Sequence, residues 1–298
     1  MIPCYHPAVA DRPRVSILIV NYRAYPELTA CLESLTRQTD APVEIIVVDY
    51  AERDTRPPHL LDRFSRVRLI EVVTNRGFAA GINRAARDAR GDYLLILNPD
   101  SLADATLCAT LARWLDEHPV VGAVGPLIRD DEGSIQASAR RFPTVLTGLA
   151  GRSSWLTRAF PTNPLSRRNL LTGEHVQGPI DVDWVSGACV MLRRTAFDAA
   201  GGMDEGFFLY WEDADLCRRL KDAGWRTMYH PGTSVIHLAG RATRHAQIRS
   251  LIAFHRSAFR YYWKHGGLVA RAFAPAAWAV LQVRLALKLV ARLLGARS

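Results

Sequence analysis

Two carboxylate groups and one imidazole stand in this sequence where they could act on a substrate. Asp100 closes the stretch Asp92-Tyr93-Leu94-Leu95-Ile96-Leu97-Asn98-Pro99-Asp100. The aliphatic run after Tyr93 predicts a strand buried on both faces, so the Asp100 carboxylate emerges at the strand's carboxyl end. In an open α/β sheet that rim is where ligands bind. Pro99 fixes its own φ and favours an extended Asn98, making the turn a stiff ledge. A solvated Asp in a strand-ending turn explains the same residues equally well.

The second group is Phe207-Phe208-Leu209-Tyr210-Trp211-Glu212-Asp213-Ala214-Asp215, where three acids follow an aromatic run. The helix dipole favours acids in a first turn, which accounts for the acids but not for the Tyr210-Trp211 wall beside them. A carboxylate against aromatic surface, with a pKa set by those surroundings, suits a general base acting on a sugar hydroxyl. His237 ends a predicted strand. Together with Asp100 it would supply a carboxylate and an imidazole, a set that fits Mn²⁺ readily and Mg²⁺ less well. Spacing alone also allows His237 an ordinary polar role.

A third signal is Asn75-Arg76-Gly77-Phe78-Ala79-Ala80-Gly81-Ile82-Asn83-Arg84. Gly77 and Gly81 permit close backbone approach, and exposed N–H groups at a helix start suit a phosphate. The pattern is neither a Gly-x-Gly-x-x-Gly fingerprint nor a P-loop. A tight turn and a closely packed helix account for it as well.

These side chains need a sheet to hold them. Val15 to Val20 predicts a strand ending in Asn21-Tyr22, and Leu28, Cys31, Leu32 and Leu35 follow at helical spacing. Glu44 to Asp49 repeats the buried-strand pattern with an acid at its end, which sets Asp49 and Asp100 on one rim. Val67 to Val72 is a further strand, and residues 104 to 118 a further helix with Pro119 beyond it. Val121 to Val124 predicts a strand broken by Gly125-Pro126. The βα alternation requires helices on both faces of a largely parallel sheet.

Between Phe142 and Pro179 the rhythm fails, and four prolines, counting Pro179, suggest a long loop serving as a lid or, alternatively, a linker. Cys189 to Leu192 is a core strand preceded by Ser186-Gly187-Ala188, small residues that leave room for a ligand or for neighbouring backbone. Trp225 to Tyr229 and Ser234 to His237 predict two short strands separated by His230-Pro231-Gly232.

With 298 residues, 49% hydrophobic and 22% charged, the chain has the composition of a folded protein. Five scattered cysteines without a Cys-x-x-Cys pair imply a reducing compartment and neither zinc nor a disulfide scaffold. The N-terminus lacks the pattern of a signal peptide, so export is not expected. The net charge of +9 divides unevenly. From Arg241 onward there are 11 basic and no acidic residues, leaving 27 basic against 29 acidic residues before it.

The tail carries that charge. Residues 243 to 264 predict a helix, interrupted at Gly266-Gly267. Beyond it the longest uncharged run, Ala272 to Val283, is 12 residues, short of the roughly 20 needed to cross a bilayer. Arg284, Lys288 and Arg292 recur every four residues against Leu281, Leu285, Leu287, Leu289 and Leu293, the pattern of an interfacial helix beside anionic lipid. A dimerisation helix is the alternative. Nucleic-acid binding is not expected, because the tail is too apolar and no recognised module is present.

Taken in order, VSILIVNY, VVDYAE, NRGFAAGINRA, LLILNPD, DWVSGACVMLRR, GGMDEGFFLYWEDADLCRRL and SVIH resemble the GT-A-type family 2 glycosyltransferases, particularly the rhamnosyltransferase-like branch. The resemblance runs from about Pro13 to Arg260. It implies an α/β, GT-A-type, Rossmann-like and mostly parallel sheet flanked by helices, with a basic amphipathic C-terminal helical tail. The implied division is a transferase domain at 13–262, with a nucleotide-sugar half at 13–120 and an acceptor half at 121–262. A membrane-associating tail would occupy 263–298.

By the same resemblance, Asn21, Asp49, Asn75, Gly77, Asn83, Asn98 and Asp100 would bind the donor. Asp100 and His237 would hold Mn²⁺ or Mg²⁺, and Asp213 would be the catalytic base. Trp184, Gly187, Ala188, Trp211 and Glu212 would shape the acceptor side. Asn98 replaces the first acid of the family's metal motif, and Tyr50 stands where relatives often carry Asn. The implied reaction is inverting transfer of a sugar to a lipid-linked glycan at the cytoplasmic face of the inner membrane. The donor expected is dTDP-rhamnose, with a UDP-sugar as the alternative. A non-catalytic nucleotide-sugar or glycan-binding protein on the same scaffold is the rival.

Overall fold

The computed structural model describes residues 12–38, 42–50, 63–64, 66–143, 171–172, 176–238 and 247–293. The expected loop between Phe142 and Pro179 lies largely outside them. In chain order the elements are β1 (Val15–Asn21), α1 (Tyr25–Leu35), β2 (Val43–Asp49), β3 (Val67–Glu71), α2 (Phe78–Asp88), β4 (Tyr93–Leu97), β5 (Ser101–Ala103) and α3 (Leu107–Glu117). There follow β6 (Val121–Arg129), β7 (Ala139–Arg140), β8 (Ile180–Val182), β9 (Trp184–Val185), β10 (Cys189–Arg193), α4 (Arg194–Ala199), α5 (Glu212–Asp222) and β11 (Arg226–His237). Three C-terminal helices close the chain: α6 (Gln247–His265), α7 (Gly267–Ala272) and α8 (Ala274–Leu293).

One sheet runs β3-β2-β1-β4-β10-β6-β11-β5, with β8 also pairing β11. The β3-β2-β1-β4 half is parallel, and β10 enters antiparallel to both β4 and β6. Side-chain alternation along the strands feeds two cores. Ile17, Ile19, Val47, Leu95 and Met191 pack under α1 and α3. Leu18, Ile46, Val48, Ile96 and Leu192 pack under α2, α4 and α5. Helices on both faces are what a sheet apolar on both sides requires.

Two strand expectations differ from the structure. β6 continues through Gly125-Pro126 to Arg129, and β11 is one strand where two were expected. The two departures compensate each other. Pro126 pairs with His230, and the register between β6 and β11 shifts immediately afterwards, between His230 and Ser234. A proline that cannot donate to the ladder thus falls beside a bulge rather than inside a regular pairing. Because β11 stays continuous, His237 is carried to the end of the sheet opposite Ser101 of β5.

At the other end of the fold, α8 packs against α6, and the Tyr262 hydroxyl donates to the Ala270 carbonyl at 2.7 Å, fastening α7. Leu268 is 84% and Leu287 66% exposed. Helix α8 has 20 residues, about 30 Å at 1.5 Å per residue. Its span from Ala274 to Arg292 is long and apolar enough to cross a membrane, and only 6% of that window is buried against protein. The 12-residue uncharged run therefore understated the apolar length, because Arg284 and Lys288 interrupt the sequence but not the helix.

Candidate active site

The site is assembled where β1, β2 and β4 end and β10 begins. Asn21 and Asp49 face each other across the parallel β1–β2 pair, both fully buried. The Asn21 amide donates to Asp49 Oδ1 at 2.9 Å, and the Tyr25 hydroxyl donates to Asp49 Oδ2 at 3.1 Å. Asp49 is thus a held carboxylate at the base of the rim. Tyr50 turns inward and donates its hydroxyl to the Gly77 carbonyl at 3.0 Å, tying β2 to the glycine turn.

That turn has a specific steric cause. Gly77 sits at φ +97°, and a Cβ there would lie 2.4 Å from the Phe208 carbonyl oxygen. Asn75 accepts from the Gly77 N–H at 2.9 Å, and the Phe78 N–H donates to Phe208 O at 2.8 Å. The glycine therefore serves contact between the two halves of the chain. Asn83, one turn along α2, is engaged at both ends of its amide by the Met203 backbone, each at 2.8 Å.

Asp100 is 2% exposed, and its Oδ1 lies 3.3 Å from His237 Nε2. Asn98 Nδ2 is 3.4 Å from the same ring nitrogen. Residues Asn98, Asp100 and His237 thus converge, although the last comes from 137 residues further along the chain. Among the described residues there is no group of three or more His, Cys, Asp or Glu side chains able to enclose a metal.

The segment Ser186-Gly187-Ala188 joins this corner to the second acid. The Asn98 N–H donates to the Ala188 carbonyl at 2.9 Å, while the Gly187 N–H donates to Asp213 Oδ2 at 2.9 Å. Two adjacent residues therefore hold the ledge before Asp100 and the carboxylate of Asp213. The other Asp213 oxygen accepts from the Ala214 N–H at 2.8 Å. Burial pushes the Asp213 pKa up, opposed by those two N–H donors and by the positive charge of Arg140. Its neighbour Glu212 is pushed further, to about 8, by burial first and then by the charge of Asp213. Glu212 Oε2 and Trp211 Nε1 are both buried without a hydrogen-bond partner.

A strained turn presents these acids. Tyr210 and Trp211 sit at φ +68° and +70°, left-handed positions that cost non-glycine residues about 1–3 kcal/mol each. The turn is clamped from both sides. Phe208 is bonded to α2, while the Ser257 hydroxyl donates to Leu209 O at 2.9 Å, and the rings of Phe254 and Tyr261 pack on Tyr210 and Trp211. Trp184 donates from Nε1 to Arg141 O at 3.1 Å, and the Arg140 guanidinium lies 5.1 Å above its ring.

Sequence reasoning did not find the Tyr210-Trp211 strain, Arg140, or Gln136, which bonds His237. Nothing in residue type or spacing signals a left-handed tryptophan. Gln136 lies in a polar stretch without periodicity.

A profile described as Glycosyl transferase family 2 matches residues 16–201. The chain is 35% identical over 262 residues to an N-acetylglucosaminyl-diphospho-decaprenol L-rhamnosyltransferase of Mycobacterium tuberculosis, covering 82% of each chain. It is 28% identical to rhamnosyltransferase WbbL of Escherichia coli over 186 residues, 62% of this chain and 64% of that one. Among solved structures, the mannosyltransferase PcManGT of Pyrobaculum calidifontis, in complex with GDP-Man and Mn²⁺, aligns over 95% of this chain and 76% of its own. Its TM-score is 0.56 at 21% identity. GalNAc-T7 with UDP, GalNAc and Mn²⁺ aligns over 76% of this chain and 44% of its own, at a TM-score of 0.55 and 15% identity.

Proposed function

The chain belongs to glycosyl transferase family 2, and from that premise we propose an inverting rhamnosyltransferase that uses dTDP-rhamnose and a lipid-linked glycan acceptor. The observation that carries the mechanism is the Gly187-Ala188 bridge, which holds Asp213 on one side and the Asn98-Pro99-Asp100 ledge on the other. The sugar choice rests on the two rhamnosyltransferases among the relatives. A UDP-sugar is the alternative donor.

In this reading Asp213 takes the proton of an acceptor hydroxyl as its oxygen attacks the anomeric carbon. The bond to the donor diphosphate breaks on the opposite face, so configuration inverts. The Gly187 and Ala214 N–H groups aim the carboxylate, and burial makes it a stronger base than a solvated Asp. Glu212, held as a neutral acid, adds no second negative charge to an acceptor pocket already holding one. Trp184, its ring capped by Arg140, supplies apolar surface on the same side.

The residues present fit a divalent ion. Two nearly buried side chains of different type, the Asp100 carboxylate and the His237 imidazole, face each other at 3.3 Å and would together hold Mn²⁺. When bound, such an ion would supply charge stabilisation at the leaving diphosphate. Chelation with EDTA is accordingly expected to abolish transfer, and added Mn²⁺ to restore it. Full activity in EDTA would remove Asp100 and His237 from that role.

Helix α8, with its exposed apolar face and basic residues, suits the cytoplasmic face of a membrane carrying the acceptor. The function is tested by a donor panel with a polyprenyl-diphosphate-linked sugar acceptor, read by release of nucleoside diphosphate. Acceptor-dependent release from dTDP-rhamnose is expected. Release only from UDP-sugars would move the assignment to the alternative, and none from any donor would favour a binding protein.

A further inference from the structure

Gln136 touches the metal corner without belonging to it. Its Nε2 donates to the His237 main-chain carbonyl at 2.8 Å, and its Oε1 lies 3.0 Å from His237 Nδ1. The first contact fixes the second, because a carbonyl oxygen only accepts, so the amide nitrogen must face it. The amide oxygen must then face Nδ1, and an acceptor there requires Nδ1 to carry the proton. A neutral imidazole so held keeps its lone pair on Nε2, the nitrogen 3.3 Å from Asp100 Oδ1.

Gln136 is itself held. Its N–H donates to Ile128 O at 2.8 Å and its carbonyl accepts from Ser138 N–H at 2.8 Å. Ser138 O in turn accepts from Ser186 N–H at 2.7 Å, next to the Gly187 that holds Asp213. The side chain therefore arrives on a strap anchored to β6 at one end and to the acceptor-side turn at the other.

We propose that Gln136 is a positioning residue that selects the Nδ1–H tautomer of His237 and fixes its ring, so that Nε2 is presented with Asp100 to a divalent ion. The proposal rests on the ion-binding role of His237 set out above. A residue acting through a metal-ligating histidine in this way is worth about 10- to 100-fold in ion affinity.

The test measures Mn²⁺ binding by electron paramagnetic resonance, with saturating dTDP, in wild type, Q136M, Q136E and H237A. Long-range ¹H–¹⁵N spectra of ¹⁵N-histidine-labelled protein report the tautomer of His237, assigned by its loss in H237A. Q136M is expected to weaken Mn²⁺ binding by about 10- to 100-fold and to lose the single-tautomer signature. Q136E still offers Nδ1–H an acceptor but sets an oxygen against the His237 carbonyl where the amide N–H donated, so its Mn²⁺ affinity should fall between those of wild type and Q136M. If Q136M does not fold, Q136N, one methylene too short to span both contacts, takes its place.

Mn²⁺ affinity in Q136M equal to wild type, with H237A weakened, would overturn the proposal alone. Wild-type affinity in H237A would overturn the metal role of His237 and the proposal with it.

Discussion

Adjacent acids in one helical turn have been given unequal surroundings. Glu212 is buried without hydrogen-bond partners for one of its oxygens, whereas both oxygens of Asp213 accept from backbone N–H groups. The pH dependence of stability follows from the raised pKa of Glu212. Between the ordinary carboxylate range and about 8, the folded protein retains a proton that the unfolded chain has released, so stability falls as pH rises through that window and levels off above it. Glu212→Gln imitates the protonated form and removes this slope. Its melting temperature should therefore gain on wild type between pH 5 and pH 8, by at least roughly 2–4 °C. A constant or shrinking gap in differential scanning calorimetry would show that Glu212 is ionised in the fold. The acids themselves were legible, because Tyr210-Trp211 beside Glu212-Asp213 is an unusual juxtaposition in sequence. Their inequality was not, since it depends on Gly187, which lies 26 residues upstream of Asp213 and meets it only in the folded chain.

The elements around the site act as clamps on one strained turn. Helix α2 grips it through Phe208 at Gly77, and α6 grips it through Ser257, Phe254 and Tyr261. Gly77→Ala places a Cβ against the Phe208 carbonyl and forces a left-handed alanine, a conformational cost of about 1–3 kcal/mol before the clash is counted. Loss of both melting temperature and transfer activity is expected, and a fully active, equally stable variant would show that the clamp is dispensable. Helix α6 contributes charge as well. Asp215 is fully buried, and Lys264 at 2.7 Å and His265 at 2.8 Å reach it from the last turn of α6, alongside Arg219 at 2.8 Å. These partners outweigh burial and hold the Asp215 pKa below the ordinary range. A chain ended at Tyr262 lacks Lys264 and His265, and it should unfold at markedly lower denaturant than one ended at His265, by on the order of 3 kcal/mol. Equal midpoints would place α6 outside the folding unit. Strand and helix periodicity read correctly here, from Val15–Asn21 through Leu107–Glu117, except for the short β5 (Ser101–Ala103), which was not expected. It failed at Pro126 and at His230-Pro231-Gly232, because a proline beside a bulge is permitted by the neighbouring strand, and that neighbour is not visible in local sequence.

The whole molecule is a sheet-based transferase domain whose positive charge is gathered at one end of the chain. The fold class was readable because the motifs occur in a fixed order along a βα alternation. The antiparallel insertion of β10 between β4 and β6 was not readable, since strand order is set by long-range packing. Helices α7 and α8, with Phe273 between them, expose Leu268, Val269, Phe273, Trp278 and Leu287 along a stretch that also carries Arg271, Arg284 and Lys288. Full-length protein is expected to float with anionic liposomes, and a chain lacking residues 267–298 to remain at the bottom of the gradient. Equal flotation would move membrane contact elsewhere. The proposed mechanism has Asp213 taking the acceptor proton and the Asp100 corner holding the diphosphate, the two joined through Gly187-Ala188. The most direct measurement is acceptor-dependent release of dTDP from dTDP-rhamnose by wild type and Asp213→Asn, with donor affinity measured in parallel. Steady release is expected from wild type, and none from the variant at unchanged donor affinity. Release by Asp213→Asn at the wild-type rate would contradict that mechanism.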